Sequence, residues 1–335
     1  MAAGGKDDGV FRHEMAHVNG ITMHIVKAGP DPSETKKPPV IMAHGFPHTW
    51  WSWNRQMRVL ADHGYPCIAY DIRGMGGTDV PTDPAEYDVD HTIGDLTGLL
   101  KHLKLEKAVF AGLDFGLFAI FDLGYRQPEK IIAQIALNNP SIPHNPDMPP
   151  LEEARIMGKK HFYHMDYFAQ PGIAEKSLNA EPRKFLERVF WALSGDYHYI
   201  DVWKHPSGTH YIDALPEAPP LPWSWLSKED MDVFVKAYEK SGFLGGMNWY
   251  RAMDLRWAQR KPYEHKKNTV PYFLIAAEAD TDIEAFHGED PLGRLPNEYS
   301  DIRAIAPVKK AGHMLQMERS DEVNALLLKF LSTLS

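Results

Sequence analysis

Cysteine is almost missing from this chain: Cys67 is the only one among 335 residues. A lone thiol cannot close an intramolecular disulfide and suits a reducing compartment, so a cytoplasmic location is expected. Long hydrophobic runs are missing too. The longest near-apolar stretch, Ala108 to Phe121, covers 14 residues with Asp114 in its middle, whereas a spanning helix needs about 20 apolar residues. Met1 to Asp8 carry neither a basic n-region nor an apolar h-region, so no signal peptide is expected. There is no excess of basic charge. Thirty-six Lys and Arg against 45 Asp and Glu give a net charge of −9 without any basic run, which argues against nucleic acid or an anionic membrane as partner. Gly-x-Ser-x-Gly does not occur, which disfavours a serine esterase.

What remains is an ordinary globular composition, 44% hydrophobic and 24% charged, too polar for a fibrous chain and too apolar for a disordered one. The length fits about two domains, or one large domain with an insertion. Phe11 to Val18 and Ile21 to Val26 flank Asn19-Gly20, a pair that accepts two positive φ values, and read as a hairpin. Beyond the charged loop Pro30 to Pro39, apolar strand-like runs alternate with helical ones. Val40 to Ala43, Pro66 to Tyr70, Ala108 to Gly112 and Ile131 to Leu137 read as strands; Trp50 to His63, His91 to Leu105 and Leu117 to Arg126 read as helices. Strands that are apolar throughout belong to a parallel sheet covered on both faces. From Ser141 to about Lys267 the rhythm breaks into a Pro-, Trp-, Tyr- and His-rich stretch with helical patches and a long loop around Pro219 to Pro222. It resumes with Pro271 to Ala277, Ile302 to Val308 and a final helix Ser320 to Leu331. The expected architecture is an α/β core of residues 1–140 and 268–335, interrupted by a helical cap of residues 141–267.

The strongest chemical signal is Gly112-Leu113-Asp114-Phe115-Gly116, which follows a strand and opens a helix. That is the setting of a nucleophile elbow, a strained turn that lifts its central side chain above a sheet; here the centre is aspartate. A carboxylate in an apolar stretch is costly unless it is paired, bonded or functional, although an N-capping role would also explain it. A carboxylate nucleophile attacks an sp³ carbon and leaves an ester, whose hydrolysis needs an activated water and oxyanion donors. Nucleophile, acid and histidine follow one another in this architecture. Asp114, Asp280 and His313 fit that order, with Glu278, Asp282 and Glu284 competing with Asp280. The His44-Gly45-Phe46-Pro47 loop follows the first core strand, so the backbone N–H groups of Phe46 and Phe115 are the expected oxyanion donors. His44 reads as a brace for that loop or a residue near substrate.

These motifs resemble the epoxide hydrolases of the α/β hydrolase fold, including the hydrolase domain of mammalian soluble epoxide hydrolase. The matching stretches are His44 to Pro47, Asp71 to Gly74, Gly112 to Gly116, Asn138 to Pro140, Tyr167 to Glu175, Met247 to Arg251, Ala277 to Asp280 and Gly312-His313, in the family's order over roughly residues 10–335. The resemblance implies an α/β hydrolase fold with a cap, a cofactor-independent opening of a small apolar epoxide to a vicinal diol, and no metal. It also implies two cap side chains, usually tyrosines, that hold and protonate the epoxide oxygen. Tyr250 matches one, beside Trp249. The other position falls on His164, with Tyr163 next to it as the alternative; with His164 the pair would be His/Tyr, as in a minority of the family.

The elbow has Leu113 and Phe115 where the family usually has His and Trp. Haloalkane dehalogenases share the nucleophile, acid and histidine but need side-chain N–H donors for halide; Phe115 and Phe46 supply none, so that reading stands second. A hydrolase-fold binding protein without turnover stands third. His13-Glu14-Met15-Ala16-His17 satisfies the zinc-protease pattern, but in a strand its imidazoles lie about 13 Å apart, too far to share one ion. The five tryptophans Trp191, Trp203, Trp223, Trp225 and Trp249 suggest an apolar pocket or cap core. A monomer or a homodimer is expected.

Overall fold

The structure, a computed structural model, describes residues 9–142, 145–287 and 290–334. Met1 to Asp8, read above as lacking a secretory leader, lie outside the described residues. The strands are β1 (Arg12–Val18), β2 (Ile21–Ala28), β3 (Val40–Ala43), β4 (Cys67–Tyr70), β5 (Ala108–Leu113), β6 (Ile131–Leu137), β7 (Tyr272–Ala277) and β8 (Ile302–Val308). They form one sheet in the order β1-β2-β4-β3-β5-β6-β7-β8. β2 runs antiparallel to β1 and β4, and the remaining pairs are parallel. Every residue of β3, β4, β5 and β7 is buried, as sequences apolar throughout require between two helical layers.

The hairpin is where the Asn-Gly pair puts it, with φ of 50° at Asn19 and 81° at Gly20. β1 carries the zinc-protease-like sequence as a strand, and His13 Nδ1 meets His24 Nε2 at 3.0 Å across it. Two helices differ from expectation. Trp50 to His63 divides into a 3-10 turn, Trp50–Trp53, and the helix Asn54–Asp62. The Thr49 hydroxyl caps Trp51 N–H and tightens the first turn around three buried indoles. The helix after β5 starts at Asp114 rather than Leu117 and runs Asp114–Arg126; the acidic and glycine residues of its first turn hide its apolar periodicity.

Between β6 and β7 the described residues carry helices, from Pro150–Lys160 to Met253–Arg260, and no strand. Pro219, Pro220 and Pro222 are exposed, as a surface loop requires, but the loop is anchored on either side by the buried Tyr211, Trp223, Trp225 and Leu226. Polar contacts clamp this insertion to the sheet layers. Trp249 Nε1 donates to the Arg73 carbonyl at 3.0 Å, and Trp51 Nε1 to Asp230 at 2.9 Å. Arg256 and Arg260 both grip Asp122 at 2.7 Å. Gly245 of the helix Leu244–Arg251 lies so close to Gly74 that a Cβ would collide with its carbonyl. Among the described residues no helix is long and apolar enough to cross a membrane.

Candidate active site

The site is built at the C-terminal ends of the parallel strands. The turn from β5 into the helix Asp114–Arg126 forces Asp114 to a φ of 53°, a left-handed conformation that costs a non-glycine residue on the order of 1 kcal/mol or more. The backbone around it is crowded. A Cβ on Gly116 would strike the His44 carbonyl, and one on Gly45 would strike the Asp114 carboxylate, so glycine at both positions is what lets the His44–Phe46 loop approach the elbow. The result is that Phe46 N–H donates to Asp114 Oδ1 at 2.7 Å, and Phe115 N–H also bonds the carboxylate. Both expected oxyanion donors therefore hold the nucleophile's own carboxylate. Asn139, at the end of β6, receives the Asp114 N–H through Oδ1 at 3.3 Å.

His313 follows β8, and its loop is held from several sides. Its N–H donates to the Leu193 carbonyl at 2.7 Å. Asn138 Nδ2 donates to the carbonyls of Gly312 and His313. The half-buried Glu318 carboxylate accepts from the N–H groups of Gly195, Gly312 and Met314 at 2.8, 3.1 and 3.0 Å. Burial lifts the Glu318 pKa to about 7, with those three N–H groups pulling the other way. His313 Nδ1 donates to Asp280 Oδ2 at 2.8 Å. Asp280 is fully buried, caps the helix Thr281–Phe286 and accepts Ile283 N–H at 2.9 Å through its other oxygen. This network keeps a proton on Nδ1 and makes Nε2 the nitrogen that gives up and takes protons.

Burial alone would lower the His313 pKa. The carboxylates of Asp280, Asp282 and Asp114 outweigh it and lift the pKa to about 10. Burial raises Asp114 to about 6; the His313 charge and the two backbone N–H groups restrain that rise, while Asp282 adds to it. The pair rests as carboxylate and imidazolium.

Tyr250 sits on the helix Leu244–Arg251, its ring edge-on to Phe115 at 4.8 Å and tilted against Phe168 at 4.8 Å. Burial keeps its pKa well above the ordinary phenol value, and its hydroxyl has no hydrogen-bond partner among the described residues. His164 opens the helix His164–Ala169 and faces Tyr250 at 5.9 Å between ring centroids, edge to face. Burial lowers its pKa to about 4, so the imidazole is neutral. A narrow cavity of about 60 Å³ joins these groups and is lined by Asp114, His313, His164, Tyr250, Phe46 and Asp282 among others.

Of the three further residues expected near substrate, none lines that cavity. Trp249 stands behind the wall, stacked on Phe115 at 5.2 Å. Tyr163 is buried against Trp203, with the rings 6.1 Å apart. His44 is fully buried and braces the loop, donating from Nδ1 to the Gly45 carbonyl at 2.8 Å and accepting Ile72 N–H at Nε2. Sequence reasoning gave no role to Tyr211, which lines the cavity, nor to Asn139 beyond its motif. It weighed Asp282 only as a rival to Asp280. Ligand-type atoms of Asp114, Asp282 and His313 lie within 4.8 Å of one another. With Asp114 bound by backbone N–H groups and His313 Nδ1 bound by Asp280, the set has the order of a nucleophile and its base.

A family profile of the alpha/beta hydrolase fold matches residues 38–183, and sheet order, elbow and histidine loop agree with it. The chain is an α/β hydrolase. An epoxide hydrolase A of Mycobacterium tuberculosis is 34% identical over 97% of this chain and 99% of its own. Epoxide hydrolase 1 of Siraitia grosvenorii is 32% identical over 96% and 98%. The crystal structure of epoxide hydrolase A from Mycobacterium thermoresistibile superposes with a TM-score of 0.87 at 32% identity, covering 96% of this chain and 98% of that one. Within the α/β hydrolases, the chain belongs to the epoxide hydrolase family.

Proposed function

We propose that this protein hydrolyses small apolar epoxides to vicinal diols through an alkyl ester on Asp114. The observation that carries the reading is the Asp114 carboxylate, held at a strained elbow by the Phe46 and Phe115 N–H groups, with a His313–Asp280 pair beside it. One carboxylate oxygen attacks an epoxide carbon. The C–O bond of the ring breaks, and the departing oxygen takes a proton from Tyr250 while the neutral His164 donates a hydrogen bond to it. The phenolate left behind recovers its proton from the His313 imidazolium, which leaves Nε2 unprotonated. His313 then takes a proton from water, and the hydroxide adds to the ester carbonyl, whose oxygen the Phe46 and Phe115 N–H groups stabilise. Collapse of the tetrahedral intermediate releases the diol and restores Asp114 as carboxylate and His313 as imidazolium. Protons balance without any redox step, so the scheme calls for no cofactor or metal.

Residues 141–267 serve as the cap that carries Tyr250 and His164 over the core. The protein works in the cytoplasm, as a monomer or homodimer, with epoxide and water as its only partners. The halide-releasing alternative draws no support from the site, because Phe46 and Phe115 offer no side-chain N–H. The test is diol formation from aryl, terminal alkyl and disubstituted epoxides, with Asp114→Asn alongside. Turnover that disappears in the variant supports the reading; folded protein that forms no diol from any of them refutes it.

A further inference from the structure

We propose that Asp282 is a second carboxylate partner of His313, which holds the imidazolium while the ester is hydrolysed; the inference rests on the reaction proposed above. Asp282 lies two residues beyond Asp280 on the helix Thr281–Phe286. Its side chain is 22% exposed and lines the cavity, whereas Asp280 is sealed beneath the imidazole. Oδ2 of Asp282 stands 3.9 Å from His313 Nδ1, beyond hydrogen-bond reach but inside the range in which opposite charges interact strongly at a partly buried site. The same oxygen accepts Asn139 Nδ2 at 3.1 Å. Asn139 in turn accepts the Asp114 N–H, so one amide fixes the third carboxylate against the elbow.

The two half-reactions use this charge in opposite senses. In the resting enzyme three carboxylates, those of Asp280, Asp282 and Asp114, share one imidazolium. Esterification neutralises Asp114. When His313 next takes the proton from water, the imidazolium re-forms with Asp280 and Asp282 alone to compensate it. Asp282 thus favours hydrolysis of the ester. Before alkylation it works against the nucleophile, because its charge makes ionised Asp114 harder to keep. The groups facing it are Asp114 on the elbow, His313 after β8, His164 and Tyr163 at the start of the helix His164–Ala169, Tyr211, Tyr250, and His287 beyond its own helix. On its own helix Glu284 is engaged by His198. Among these described groups His313 alone carries a positive charge, which singles out the imidazolium as the charge that Asp282 serves.

The test compares the wild-type protein with Asp282→Asn and Asp282→Leu, two neutral replacements that differ in packing. Single-turnover mixing with an epoxide substrate and intact-protein mass spectrometry gives ester formation and decay separately. Ester decay is expected to slow roughly tenfold in both variants, the effect of about one pKa unit on His313, so that ester accumulates in the steady state. The acid limb of ester formation is expected to move to lower pH. A role in packing alone would leave that limb in place and would spare the Asn variant. Unchanged decay and an unchanged acid limb in Asp282→Asn would overturn the inference while leaving the covalent reaction standing. Diol formation without ester in any protein, including one with His313→Gln, would overturn the reaction and this inference with it.

Discussion

Removing the Tyr250 hydroxyl separates catalysis from stability, and the structure says by how much. Tyr250 is buried among Phe115, Phe168 and Phe46, and its hydroxyl gives no hydrogen bond to any described residue. Tyr250→Phe keeps those ring contacts and strands no partner. The hydroxyl lies at the cavity, where no described residue bonds it, so its removal leaves no partner unsatisfied and the variant should be about as stable as the parent. The oxygen leaving the epoxide, by contrast, loses one of its two donors. Losing one preorganised oxyanion donor costs about 3 kcal/mol, or 10²–10³ in rate. The neutral His164 imidazole remains and prevents complete loss. Ester formation measured by rapid mixing should therefore fall at least about a hundredfold, with a melting temperature close to the parent's. Retention of half the parental rate would refute the assignment of Tyr250 as proton donor, and a lower melting temperature would refute the account of its packing.

The acid limb of kcat/KM should fall near pH 6, because burial raises Asp114 to about 6 and only its carboxylate attacks; the rate should drop tenfold per pH unit below that. A limb near pH 4 in a kcat/KM profile would contradict it. Asp122→Asn should destabilise the fold by about 3 kcal/mol, since it leaves the 2%-exposed Arg256 without its carboxylate. Urea titration reads that loss, and a change below about 1 kcal/mol would show that the clamp between the helices Asp114–Arg126 and Met253–Arg260 contributes little.

Much of this was legible in the residues because the relevant physics is local. Asn19-Gly20 can make few turns other than a tight hairpin, and strands apolar at every position require cover on both faces, so the core could be laid out before its contacts were known. Asp114 announced itself as a charge in an apolar stretch. The rest depends on distant pairings. Whether His164 or Tyr163 faces the cavity is a question of one step around a short helix, and it turns on how Trp203 packs against Tyr163. Tyr211 reaches the cavity from a Pro-rich segment with no regular pattern to reveal it. Asp282 was visible as an acid but not as a neighbour of Asp114, because an offset of two residues does not show which carboxylate turns under the imidazole and which turns toward the cavity. The Trp50 turn was concealed by its own composition, since aromatic residues at successive positions satisfy a helix and a 3-10 turn equally well.

The covalent ester is the centre of the account, and His313→Gln tests it most directly. The amide that replaces the imidazole cannot take a proton from water, while Asp114 keeps both backbone donors and its access to the epoxide. Incubated with an epoxide, the variant should gain the full mass of that epoxide in intact-protein mass spectrometry, and peptide mapping should place the addition on Asp114. A variant that carries no added mass while diol still forms would contradict the account.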